Sequence, residues 1–277
     1  MIKLVICATL LGVTAPLGAQ TGVDTTGTAA IIRQATDHSE MMKNLEYLSD
    51  VIGPRLTGSA AMRRANDWTA ERFKAYGLTA AIEPWDFGVT WERGVANARL
   101  LAPFQRAVTA QSWAWTAGTG GKPMAGPVVM VNVSSPESLA VYKDRVKGAW
   151  LLTGQPANIW NPDGPAMTAA DSAAVRTRQN QPRPPLDTSA AAVAQRRQFA
   201  FDVPYLLKQA GALGRLTDGS KEEGLMNMSG SPYSVSPLPN LVIAHEDFAQ
   251  LARLIQNGIT PRFEAAVTNA IGTKPVQ

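Results

Sequence analysis

Cysteine is almost missing from this chain: Cys7 is the only one in 277 residues. It lies inside an N-terminal apolar segment, so the remainder carries no thiol. That excludes disulfides, thiolate nucleophiles and cysteine-ligated zinc together. Histidine is nearly as scarce, with His38 and His245 alone. They are far apart, and neither sits in an H-E-x-x-H spacing, so the three protein ligands of a hydrolytic zinc site are not assembled. Charged residues are 17% of the chain, against about a quarter in an ordinary domain. The net charge is +4, yet the basic residues stand singly or in pairs (Arg63-Arg64, Arg196-Arg197). Without a run that could follow phosphates, a nucleic-acid partner is excluded. The apolar run Leu4 to Val13 is about half of what a membrane span needs.

What is present at the N-terminus has a secretory layout. In "MIKLVICATLLGVTAPLGAQ", Lys3 supplies a positive start, Leu4 to Val13 a short apolar stretch, and Pro16 a break before Leu17-Gly18-Ala19. Cleavage is expected near Ala19-Gln20, with export to the periplasm or medium and no stable membrane anchor. Hydrophobic residues make up 45%, enough for a real core in one large domain or two modest ones.

After a Gly/Thr-rich leader, Thr21 to Thr28, the pattern predicts a helix over Ser39–Ile52, with Met41, Leu45, Leu48 and Ile52 on one face and Gly53-Pro54 as the stop. A second helix is predicted over Ser59–Tyr76, its stripe Met62, Ala65, Phe73 and Tyr76, with Trp68 on the flank and Gly77 at its end. Strands are expected in "TAAIEPWDF", "WERGVANARLLAP" and "TAQSWAWTAG". The breaker-rich "AGTGGKPMAGP" marks a boundary near residues 117 to 127. Beyond it come a buried strand "PVVMVN", a helix "SPESLAVYKDRV" and a buried strand "GAWLLTG". A Pro-rich excursion from Gln155 to Pro185 reads as a loop or hairpin. A helix broken at Pro204 follows, then a short helix ending at Gly211 and a strand. "PLPNLVIAHEDFAQLARLIQNGITPRFEAAVTN" reads as strand, helix, strand.

No residue qualifies as catalytic, cofactor-binding or metal-ligating. His38 reads as a solvated residue at a helix start, and His245, in "AHEDF", as a strand-end residue beside Glu246 and Asp247. No G-x-S-x-G elbow exists, and the serines of "LTGSA" and "SGSPYS" need only turn chemistry. "GTGGKP" has Pro123 where a phosphate-binding loop needs Ser or Thr. Asp218, Glu222 and Glu223 read as a solvated hairpin tip rather than an acid–base pair. Trp85, Trp91, Trp113 and Trp115 are expected to pack in a core, with the two indoles of "SWAW" on one strand face.

The segments "NLEYLSDVIGPRLTGSAAMRRANDWTAERFKAYGL", "AAIEPWDF" and "WERG" resemble the start of the secreted two-zinc aminopeptidases that carry an inserted protease-associated domain, a family that includes relatives of plasma glutamate carboxypeptidase. "VKGAWLLTG", "LLKQAGALGRLTDGS" and the last quoted segment resemble that insertion. The resemblance implies an α/β fold: the N-terminal helices and first strands of an incomplete zinc-peptidase sheet, plus a β-rich protease-associated domain. It implies a signal peptide over 1–19, the N-terminal part of the peptidase domain over 20–117, the protease-associated domain over 118–270, and a tail over 271–277 leading to an absent catalytic part. In the family the ligands for two zinc ions follow the insertion, beginning with an H-x-D motif. This sequence reaches "NAIGTKPVQ" where that region would start, so no ligand is carried over and no zinc is expected in this chain. The implied activity is hydrolysis of terminal peptide bonds by the full-length enzyme, with a peptide as substrate. Two other readings stand beside it. One is a free-standing secreted module that uses the protease-associated fold to bind peptides or a partner. The other is an unrelated hydrolase using His38 or His245.

Overall fold

The computed structural model describes residues 25–157, 168–180 and 187–272. The predicted signal peptide, parts of the Pro-rich excursion and the last five residues lie outside these. The chain divides into two units between Val51 and Ile52. The described part of the first unit is helical: α1 (Thr25–Asp37), α2 (Met41–Glu46), then a π-helical stretch, Tyr47–Ile52, which closes at Gly53 with φ +78°. Helix α1 falsifies the reading of Thr21 to Thr28 as plain leader. The helix formers of "AAIIRQA" begin right after the last leader glycine, and the helix extends back through it. The next helix starts where expected, with the Ser39 hydroxyl accepting the Met41 N–H at 3.4 Å. Of its predicted stripe only Ile52 is buried, while Met41 and Leu45 are exposed.

In the second unit, α3 (Ala60–Ala75) matches the expectation closely. The Ser59 hydroxyl accepts the Met62 N–H at 3.1 Å, and Gly77, with φ +83°, follows the last turn. Its stripe is largely uncovered: Ala65 is buried, but Phe73 and Tyr76 are about half exposed. The predicted strand over Thr79–Phe87 is irregular apart from one bridge residue, Trp85. A strand persists when a neighbour takes its N–H and C=O groups in turn, and beyond that one bridge no such ladder forms; Pro84 has no N–H to give. Limited proteolysis is therefore expected to cut within residues 25–88 first and to leave a core starting near Thr90. N-terminal sequencing of the resistant fragment checks this, and a core retaining α1 to α3 would contradict it.

The remaining elements are β1 (Thr90–Glu92), β2 (Ala96–Ala102), β3 (Arg106–Val108), β4 (Ala110–Ser112), β5 (Met124–Val131), α4 (Pro136–Val146), β6 (Trp150–Thr153), α5 (Ala169–Asn180), α6 (Ala190–Gln209), β7 (Gly214–Asp218), β8 (Asn240–Ile243), α7 (His245–Gln256), β9 (Arg262–Val267) and β10 (Ala270–Gly272). Strand β1 pairs with β10. The others form an eight-stranded mixed sheet, ordered β3-β2-β9-β5-β6-β7-β8-β4, with β5 to β8 parallel. Its edge strands β3 and β4 are joined by Thr109 alone. Successive Cα atoms are about 3.8 Å apart, so the two edges meet at this corner and the sheet curls round on itself, which shelters edges that would otherwise recruit other chains. Asp247 of α7 pins the corner: it accepts the Thr109 N–H at 2.9 Å and meets Arg106 at 2.7 Å.

Parallel register decides which side chains share a face. Val128, Met130, Trp150, Leu152 and Leu216 face one core, with Phe263 and the α7 residues Phe248, Leu251 and Ala252. Val129, Val131, Leu151, Thr153 and Arg215 face the other way, where Val146 of α4 and Val203 and Leu207 of α6 complete a second core. The helix and strand expectations for 124–153 and 240–267 hold. Four others do not. The excursion contains α5. Helix α6 runs straight through Pro204, losing one i→i−4 bond while Val203 and Leu207 hold both sides of the proline against the sheet. "SWAW" is not a strand face, because β4 stops at Ser112 and Trp115 turns the chain with φ +53°. And β7 and β8 are parallel neighbours, so no hairpin lies between them. Strands on both sides of residues 117–127 belong to the one sheet.

Candidate functional site

Parallel strands deliver their carboxyl ends to one edge of a sheet, where side chains distant in sequence converge. Here β7 ends at Asp218, which is in register with Ile243 at the end of β8. Two residues further, His245 opens α7. Its Nδ1 lies 3.0 Å and 3.1 Å from the two Asp218 carboxylate oxygens. Asp218 also accepts N–H groups from Ala157 at 2.7 Å and Ser220 at 2.9 Å. Its side chain is 8% exposed, so the reading of Asp218 as part of a solvated tip is corrected; the parallel register removes the hairpin that reading required. Glu223 instead gives its N–H to the Glu246 carboxylate at 2.9 Å.

An aspartate on Nδ1 fixes the neutral imidazole with its proton on that nitrogen and leaves Nε2 as an acceptor. Those are two of the three members of a hydrolytic triad, without its nucleophile. Among the described residues no hydroxyl meets Nε2, and no group of three or more His, Cys, Asp and Glu could hold a metal ion. The pair as built joins β7, α7 and the start of the excursion. His38 lies in the first unit, where its N–H bonds to the Gln34 carbonyl at the end of α1. It thus closes one helix as well as preceding the next.

A cleft of about 730 Å³ opens between the N-terminus of α3 and the segment from β1 to β2, lined by Ser59, Arg64, Trp91, Glu92, Arg93 and Thr268 among others. The Glu92 carboxylate accepts the Ala60 N–H at the start of α3, a favourable place for negative charge. Arg93 lies over the Trp91 ring at 5.5 Å, its Nε buried without a partner, and burial lowers its pKa. The cleft offers positive charge and an aromatic wall but no nucleophile and no ligand set.

The remaining candidates take structural roles. "GTGGKP" spends its amides internally, since the Thr119 and Gly121 N–H groups both bond to the Val267 carbonyl. Trp91 and Trp115 are buried, and their indole N–H groups bond to the Thr116 and Val89 carbonyls at 2.9 Å each. Trp113 does not join them. Trp85 is 58% exposed and packs its ring edge-on to Phe87. One residue escaped sequence reasoning entirely: Arg215, the one cation of β7. The alternation of Gly214, Arg215 and Leu216 was the available signal that it points away from the Trp150 face.

No protein-family model and no curated protein matches the chain. Solved structures do match. A "Peptidase M28 precursor" from Shewanella amazonensis SB2B superposes with TM-score 0.52 and 15% identity, covering 90% of this chain and 51% of that one. An aminopeptidase from Aneurinibacillus sp. strain AM-1 gives TM-score 0.46 at 16% identity, over 88% of this chain and 47% of that one. A zinc aminopeptidase from Bacillus subtilis gives 0.46 at 16%, over 84% and 43%. The chain thus spans about half the length of the solved structures it matches. The α/β fold expected from the sequence is the fold observed. No helix among the described residues is long and apolar enough to cross a membrane.

Proposed function

We propose that this chain is the N-terminal part of an exported zinc metallopeptidase of the aminopeptidase or carboxypeptidase type, which as a whole hydrolyses terminal peptide bonds. The observation that carries the reading is the superposition over 90% of this chain but 51% of a peptidase. In this reading, residues 118–270 are the inserted protease-associated lobe, its sheet completed by β2 to β4. The two helices before it belong to the peptidase domain, and the half-exposed stripe of α3 is the face on which further sheet would pack. Two zinc ions belong to the whole enzyme, where they would supply an activated water. The described residues do not fit them, because the two histidines have no third ligand and Asp218 is already committed to His245 and two backbone amides. No step is assigned to this chain. Incubated with zinc and aminoacyl or dipeptide substrates, the purified chain is expected to turn over no faster than a metal-free control; clear zinc-dependent turnover overturns the reading.

A second reading, a free-standing secreted module with the protease-associated fold, draws support from the closed sheet and the two cores within residues 90–272. A single cooperative unfolding transition, with amides of α3 protected from exchange, would favour it.

A further inference from the structure

Arg215 is a cation without a counter-charge among the described residues. It sits on β7, facing the core under α6, and its Nε is buried with no hydrogen-bond partner. Among the described residues no carboxylate and no carbonyl bonds its guanidinium. Charge that is taken out of water is ordinarily paired; Arg215 is half-buried as a whole, and desolvation lowers its pKa. Arg93 shares the orphaned Nε but has the Trp91 ring beneath it. Arg215 has an empty cavity instead. The cavity measures about 280 Å³, and its walls are Val131, Val133, Val203, Leu207, Thr153 and Asn132, with no acidic side chain.

We infer that the Arg215 cavity is a binding site for a small carboxylate. Each part of that ligand has a counterpart. The planar guanidinium fork matches a carboxylate through two parallel N–H···O bonds. Asn132, at the rim, has an amide free to donate to the same oxygens. Thr153 spends its proton on the Leu216 carbonyl at 3.2 Å, so it can accept a hydrogen bond from the ligand but not donate one. Val131, Val203 and Leu207 close the cavity from beneath and are themselves almost fully buried. The volume falls just below the range of sites for drug-sized ligands, which limits the ligand to about the size of one amino acid. The site lies at the carboxyl ends of β5 and β6, since Val131, Asn132, Thr153 and Gly154 all line it. The ligand could be a free acid or the C-terminal residue of a peptide. The proposal rests on Arg215 and its cavity alone, whether or not the chain belongs to a peptidase.

The test uses the whole purified chain and three probes: N-acetyl-leucine, its neutral amide, and a tripeptide ending in leucine. Arginine Nε–H signals of an isotope-labelled sample are followed by NMR, beside thermal melts. N-acetyl-leucine is expected to shift one arginine signal saturably and to raise the melting temperature, while the amide does neither. A matching response to the tripeptide identifies a peptide C-terminus as a source; its absence confines the site to free acids. R215M is expected to melt no lower than the parent in buffer, because a half-buried cation without a partner among the described residues is gone, and to lose the carboxylate response. No saturable shift with the acid, an equal response to the amide, or an undiminished response in R215M overturns the proposal. Should R215M fail to fold, the arginine signals of the parent decide alone.

Discussion

Truncation of Trp150 to alanine is expected to destabilise the sheet lobe by about 3–5 kcal/mol, a large share of the roughly 5–15 kcal/mol that holds an ordinary domain folded. The ring is fully buried in the larger core. It packs edge-on against Phe263 with centroids 5.4 Å apart, and its indole N–H bonds to the Met124 carbonyl at 3.0 Å. Those contacts join β6 to β9 and β5. On the other side the ring lies against Gly214, where an added Cβ would come within 2.2 Å of it. The neighbouring strand therefore leaves no slack to collapse into the void, and the cavity persists. Gly214→Ala should be nearly as damaging for the opposite reason, since the ring and the Pro239 carbonyl both stand where the methyl would go. Urea denaturation followed by circular dichroism reads both variants. A loss below about 1 kcal/mol, the scale of an ordinary surface change, would mean that Trp150 is not the keystone of this core.

The second large effect is expected at Asp218. Alanine there removes the acceptor for His245 Nδ1 and for the Ala157 and Ser220 amides in one step. Hydrogen bonds to a charged group contribute about 1.5–3 kcal/mol each, but they share one carboxylate and are not additive, so a loss of about 3–4 kcal/mol is expected. Asp218→Asn keeps one carbonyl acceptor and should cost less. The distinguishing measurement is local. Amide exchange at Ala157 and Ser220 should accelerate in Asp218→Ala well beyond the change at Leu251, which lies in the larger core. Uniform acceleration across both would indicate general destabilisation and remove the special role of this carboxylate.

The difference between what was legible and what was not follows the range of the interactions involved. Ser59 at the start of α3 and the glycines that end helices are local devices, and each was visible as a spelling of a few residues. The alternation in β9 and the continuous apolar runs of β6 and β8 likewise told which stretches are buried. Local patterns misled where a long-range partner decides. Thr79–Phe87 has strand composition but no ladder beside it, and α6 has a proline that two packed residues override.

The sequence by itself determined that residues 8–277 carry no thiol and that no H-E-x-x-H spacing occurs, because those depend on which residue types exist and at what spacing. It also determined the α/β class, since helical and strand periods are written into the order of apolar residues. Only the tertiary structure decided that Asp218 meets His245, that Thr109 turns two sheet edges into a corner, and that Arg215 lines a cavity without a counter-charge among the described residues. Each depends on strand order and on parallel rather than antiparallel register, which arise from contacts between segments far apart in the chain and leave no mark in any one of them.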